Sequence, residues 1–190
     1  MNIIEQKKAL RKIIKCQVDE LTEDYINYSN KKIYEYVISL PEFNEAKTIF
    51  AFLGRDIEID TLPIIEYAVK KGKTVGIPRC VGKRCMDVLK FTSIDDMELS
   101  SFGILEPKAA AELIKPEEID FSLIPCMTVN KNGHRLGYGG GFYDTYLEGN
   151  KSFSCLICRS KIMCDVIPLE EHDKTPDVII SEDGIIRLGI

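Results

Sequence analysis

FSLIPCMTVNKNGHRLGYGGGFYDTYL, residues 121–147, sets a short apolar run ending in proline ahead of a glycine-rich segment and a run of helical character. FSLIP reads as a buried strand and FYDTYL as a helix, so the glycines join a strand to a helix. The same unit recurs outward in both directions. TIFAFL (48–53), TVGIP (74–78), residues 87–91, FSCLIC (153–158) and DVIIS (177–181) are further strand candidates. Leu10, Ile13, Ile14, Gln17, Val18 and Leu21 follow helical spacing. Thr22 is placed to cap a second helix that runs through Tyr25, Ile33, Val37 and Leu40 to Pro41. Asp60 is placed to cap a third, with Pro63 in its first turn and Gly72 at its end. Strands alternating with helices predict a three-layer α/β/α fold with a mostly parallel central sheet, covered on both faces. Ligands of such sheets bind beyond the carboxyl ends of the strands. No linker or repeat divides the chain, which predicts a single domain over residues 1–190.

The composition, 45% hydrophobic and 29% charged, is that of an ordinary folding domain. A net charge of −5 argues against unspecific nucleic-acid binding, which needs a basic field. No apolar run approaches the roughly 20 residues that cross a bilayer. The start MNIIEQKKALRKIIK mixes lysines with apolar residues and lacks a signal-peptide pattern, so a cytoplasmic protein without membrane contact is expected. Seven cysteines, an odd number, then read as free thiols. Cys155 and Cys158 form a C-x-x-C, but no second such pair completes a zinc site. Three positions apart on a strand they point to opposite faces, so both are read as small core residues.

Residues 130–144 read as a loop holding Gly133, Gly137, Gly139, Gly140 and Gly141. Consecutive amides in such a loop, continued into a helix N-terminus, suit phosphate oxygens, and Arg135 adds a permanent cation. No lysine follows as in a Walker loop. A G-x-G-x-x-G fingerprint counted from Gly137 fails at Phe142.

RLGYGGGFYDTYL (135–147) resembles the signature loop of the 5-formyltetrahydrofolate cyclo-ligase family. KKALR (7–11), EIDT (58–61), FGILEP (102–107) and HDKTPD (172–177) resemble further blocks of that family, in family order. Cys126, Asn130 and Thr145 depart from its commonest pattern, which has glycine, aspartate and often a basic residue there. The resemblance implies an ATP- and Mg²⁺-dependent enzyme that cyclises 5-formyltetrahydrofolate to 5,10-methenyltetrahydrofolate. It implies ATP contacts from Lys7, Lys8, Ala9, Leu10 and Arg11, and from Arg135, Leu136, Gly137, Tyr138, Gly139, Gly140, Gly141, Phe142 and Tyr143. Arg135 and Tyr143 are implied as catalytic. Leu53, Glu58 and residues 138–142 are implied to meet the folate, and Asp144 and Asp173 the metal.

Each residue also has an ordinary explanation: a solvated basic face for Lys7 and Arg11, a helix cap for Asp144, core packing for Leu53, a surface turn for Asp173. Neither His134 nor His172 has a partner for acid–base work that the sequence identifies. The competing readings are a non-catalytic nucleotide- or folate-binding domain and a sugar-phosphate isomerase-like enzyme that uses no ATP. A monomer is expected.

Overall fold

The computed structural model describes residues 2–54, 58–100, 103–169 and 174–188. Helix α1 (Ile3–Asp19) begins at a capping box: the Asn2 side chain accepts from the Glu5 amide, and the Glu5 carboxylate accepts from the Asn2 amide. Thr22 caps α2 (Glu23–Ser39) as expected, its hydroxyl accepting from the Tyr25 amide. Pro41 ends that helix and at once opens a short one, α3 (Pro41–Glu45), because proline suits a first helical position.

Strand β1 (Thr48–Phe50) is shorter than the run TIFAFL predicted. After Ala51 donates to the Gly76 carbonyl the chain leaves the ladder, and the Phe52 carbonyl accepts instead from the Thr61 hydroxyl. The Gly54 amide donates to the same hydroxyl oxygen at 3.0 Å. Helix α4 (Leu62–Lys70) therefore has Thr61 at its N-cap with the hydroxyl already committed to the end of β1. Asp60 accepts from the Leu62 amide at 3.1 Å, one position before the cap it was expected to occupy.

Strand β2 (Thr74–Gly82) runs beyond TVGIP and folds back as β3 (Cys85–Lys90) in an antiparallel hairpin. A small two-stranded sheet of β4 (Met97–Leu99) and β5 (Leu105–Pro107) lies where no strand was predicted. Strand β6 (Phe121–Ile124) is the predicted buried strand.

The glycine-rich segment is not one loop. Strands β7 (Thr128–Val129) and β8 (Arg135–Leu136) pair as an antiparallel hairpin, which puts Arg135 on a strand. Asn130 builds its turn, Oδ1 accepting from the amides of Asn132 and His134 at 3.0 Å each. Helix α5 (Phe142–Glu148), β9 (Phe153–Ile157), β10 (Val178–Ser181) and an unforeseen β11 (Gly184–Arg187) follow.

The main sheet has the order β11-β10-β9-β6-β1-β2-β3. Its inner pairings are parallel and its two edge strands, β11 and β3, antiparallel. Successive side chains on a strand face opposite ways. Ile49, Phe121, Leu123, Cys155, Ile157 and Ile180 join Ile33 and Val37 of α2, Phe43 of α3 and Ile64 and Ile65 of α4. On the other face Ile124, Leu156 and Ile179 meet Ile14 and Val18 of α1 and Leu147 of α5. The three-layer expectation holds. Phe43 and Phe121 meet edge to face at 5.4 Å, and burying each such side chain contributes about 1.5–3 kcal/mol. Among the described residues no helix is long and apolar enough to cross a membrane.

Cys155 lies in the first core and Cys158 in the second, and all seven thiols are free. Burial pushes the Cys155 thiol up; a hydrogen bond with Cys126, then burial, does so for Cys158. Among the described residues no group of three or more His, Cys, Asp or Glu is assembled for a metal. Cys155→Ser is expected to cost about 1–3 kcal/mol, by placing a hydroxyl in an apolar site, and to leave metal content unchanged. Thermal unfolding and metal analysis check this; stoichiometric zinc lost in the variant is the contrary result.

Candidate active site

From β1 the chain winds through α4 to β2 on one side, whereas from β6 it winds through α5 to β9 and β10 on the other. The neighbours β1 and β6 are therefore a topological switch point, and the crevice outside their carboxyl ends is the natural ligand site. A cleft of about 1090 Å³ opens there, with Phe52 and Leu53 after β1, Pro78 on β2 and Pro125 after β6 in its wall. That volume is at the upper end of a small-molecule pocket.

The glycine-rich segment forms another wall. Arg135 is buried on β8 and donates to the Asp144 carboxylate and, at 3.0 Å, to the Lys174 carbonyl. Asp144 is not the cap of α5. Gly141 holds that position with φ +70°, and Asp144, in the first turn, pairs with Arg135 instead.

Helix α1 grips the segment from outside: Arg11 Nε donates to the Gly137 carbonyl at 2.8 Å. The guanidinium carbon of Arg11 lies 3.3 Å from where a Cβ on Gly139 would stand, and the φ of +94° there favours glycine. Lys7, one turn before Arg11, lines the cleft too, as four-residue spacing on a helix dictates. Lys8, Ala9 and Leu10 do not line it; Lys8 is exposed and Leu10 packs on the second core. Among the described residues none accepts a hydrogen bond from the amides of residues 138–144.

Glu58 also lines the cleft, beside the Tyr138 phenol. Tyr138 is 43% exposed overall, yet its hydroxyl is enclosed beside Glu58; burial first, then that carboxylate, pushes the phenol well above its ordinary value. Tyr143 is pushed up in the same way, by burial and then by Glu58. Both phenols stay protonated near neutrality, so they can donate a hydrogen bond but cannot serve as bases. Leu53 packs on the first core and faces the cleft.

Residues 3–182 match the model of the 5-formyltetrahydrofolate cyclo-ligase family. The chain belongs to this family. A probable 5-formyltetrahydrofolate cyclo-ligase of Schizosaccharomyces pombe is 28% identical, over 96% of this chain and 98% of the relative. The 5-formyltetrahydrofolate cyclo-ligase of Haemophilus influenzae is 30% identical over 80% of this chain and 84% of its own. Among solved structures, the NMR structure of Aquifex aeolicus 5,10-methenyltetrahydrofolate synthetase superposes with a TM-score of 0.85 at 26% identity, covering 97% of this chain and 93% of that one.

In this cyclo-ligase family chain, three residues in or beside the cleft were not singled out from the sequence, although one of them, Glu106, lies in the block FGILEP. Arg159, only 1% exposed, donates to the Glu58 backbone carbonyl at 3.1 Å, to Asn30 Oδ1 at 2.8 Å and to Ser29 Oγ at 3.0 Å. It fastens the segment carrying Glu58 to α2; its signal was an arginine directly after the apolar run FSCLIC. Glu106, 3% exposed, lines the cleft and accepts from the Cys80 amide at 3.2 Å. Arg84 reaches the cleft from the β2–β3 turn. The departures are accommodated locally: Cys126 donates through sulfur to the Ile157 carbonyl at 3.6 Å, and Thr145 donates to the Gly141 carbonyl at 3.1 Å. Phe102, His172 and Asp173 lie outside the described residues.

Proposed function

We propose that this chain, acting as one domain over residues 1–190, cyclises 5-formyltetrahydrofolate to 5,10-methenyltetrahydrofolate, with ATP converted to ADP and phosphate. The observation that supports this most is the run of amides at residues 138–144, which find no acceptor among the described residues and lie beside Arg11 and Arg135. Backbone donors and guanidinium groups of this kind suit phosphate oxygens.

The formyl oxygen of an amide is a poor leaving group. It becomes a good one when it takes the γ-phosphoryl group of ATP as ADP departs. N10 then attacks the formyl carbon and gives up its proton, and the oxygen leaves within inorganic phosphate. Such a transfer asks the protein mainly for positioning and charge stabilisation. Lys7, Arg11 and Arg135 oppose the phosphoryl charge. Tyr143, held protonated, donates a hydrogen bond beside the reacting group. Glu58 accepts N–H bonds from the 2-amino-4-oxo edge of the pterin, and Leu53 packs against the ring.

Mg²⁺ would be held by Asp144, with Asp173 as the second carboxylate the resemblance implies, and would neutralise charge on the β- and γ-phosphates. The half-exposed Asp144 carboxylate at the rim fits an ion that takes one or two carboxylates, phosphate oxygens and water.

The test is absorbance at the methenyl product's band after mixing protein, 5-formyltetrahydrofolate and Mg-ATP. The band is expected to grow, and to fail without nucleotide or in EDTA; full turnover in EDTA without nucleotide would overturn the proposal.

A further inference from the structure

Two cations among the described residues of the cleft wall have no part in these roles: Lys174, which donates to the Leu147 carbonyl at 3.1 Å, and Arg84. Arg84 sits in the β2–β3 turn at φ +60°, the one non-glycine residue with positive φ among the described residues. An L residue seldom adopts this conformation. Its side chain lies across the glycine-rich segment: a Cβ built on Gly141 would come within 2.9 Å of Arg84 Nε and 3.2 Å of its Cδ. Gly141 thus leaves room for the guanidinium stem. Among the described residues Arg84 joins no ion pair, although Arg135, on the same cleft, is matched by Asp144.

Arg11 reaches Gly139 from α1, and Arg84 reaches Gly141 from the hairpin, so two guanidinium groups bracket one run of three glycines. Lys7, Arg11, Arg135 and Lys174 line the same cleft, as do Glu58, Glu106, Asp144 and Glu148, and Arg84 forms an ion pair with none of these carboxylates.

We propose that Arg84 is an additional phosphate-contacting residue, holding the nucleotide's phosphates against the glycine run from the β2–β3 hairpin. This rests on the ATP reading of the cleft. A guanidinium fork recognises phosphate and carboxylate oxyanions alike, so the glutamate tail of a folate is the other anion it could meet. Contact with Gly141, inside the segment whose amides lack acceptors, favours phosphate.

The experiment titrates Mg-ATP, and separately 5-formyltetrahydrofolate in monoglutamate and polyglutamate forms, into the parent protein, Arg84→Gln and Arg84→Lys, with steady-state KM values alongside. Arg84→Gln is expected to weaken Mg-ATP binding and raise its KM about 10- to 100-fold, the range for loss of a charge-assisted contact. Folate affinity should stay within about twofold of the parent, and the melting temperature should hold because the residue is exposed. Arg84→Lys, which keeps the charge and loses the fork, should recover part of the affinity, as a purely structural turn residue would not. Parent-like binding of Mg-ATP by Arg84→Gln overturns the inference, and so does a loss confined to the polyglutamate form. Failure of the parent itself to bind Mg-ATP would instead remove the ATP reading and the inference with it.

Discussion

Asp144→Asn is expected to lower turnover by about 100- to 1000-fold, the scale seen when one group opposing developing charge is removed. The substitution keeps size and an oxygen that can still accept from Arg135, and it removes the negative charge a Mg²⁺ ion would require. Arg135 is left in a nearly buried position, its side chain 6% exposed, without a carboxylate opposite. Asp144 itself is 48% exposed, so solvent screens the pair and the stability lost should stay near 1 kcal/mol. Raised Mg²⁺ should restore part of the rate while folate affinity is unchanged. Turnover against Mg²⁺ concentration, read with the melting temperature, separates the two effects. Parent-like turnover at low Mg²⁺ would remove Asp144 from the metal site.

Glu58→Gln should fail in a different way. A carboxylate accepts two N–H bonds from the pterin edge, whereas an amide presents one oxygen and one N–H₂ group to the same donors. The loss should be roughly 1.5–3 kcal/mol, or about 10- to 100-fold in folate affinity, with Mg-ATP binding retained. The Tyr138 and Tyr143 phenols would lose one of the causes that hold them high, but burial, the larger cause for each, remains and keeps them protonated. Calorimetric titration of each ligand into each variant is the measurement. If both variants bind Mg-ATP and folate as the parent does, Asp144 does not hold the metal and Glu58 does not hold the pterin.

Much of the cleft was legible because its residues cluster in short blocks. The spacing in KKALR sends Lys7 and Arg11 to the cleft and leaves Lys8 in solvent, a consequence of the helical turn alone. The role of Asp144 was less legible. A carboxylate in the first turn of a helix suggests a cap, and only the β7–β8 hairpin, which lifts Arg135 out of the supposed loop, shows the ion pair that takes its place. Arg84 carried no motif, and Glu106, though inside FGILEP, was not singled out there. Arg84 comes to the cleft at the turn where β2 folds back on β3, and Glu106 because β5 packs beside β2, a contact between residues 26 apart in the chain.

Local chemistry determined the principal strands and helices, the cap at Thr22, the helix start at Pro41, and the glycines at Gly139 and Gly141, where a positive φ favours glycine. Apolar alternation also sorted Cys155 and Cys158 onto opposite faces, since side-chain direction on a strand follows from sequence position. Only the tertiary structure decided where β1 stops, because Thr61, at the start of α4, takes the Phe52 carbonyl that would have continued the ladder. It also decided that Arg159, Asn30 and Glu58 form one support for the cleft. These contacts join parts of the chain more than a hundred residues apart, a buried guanidinium having to find its acceptors wherever the packed layers bring them.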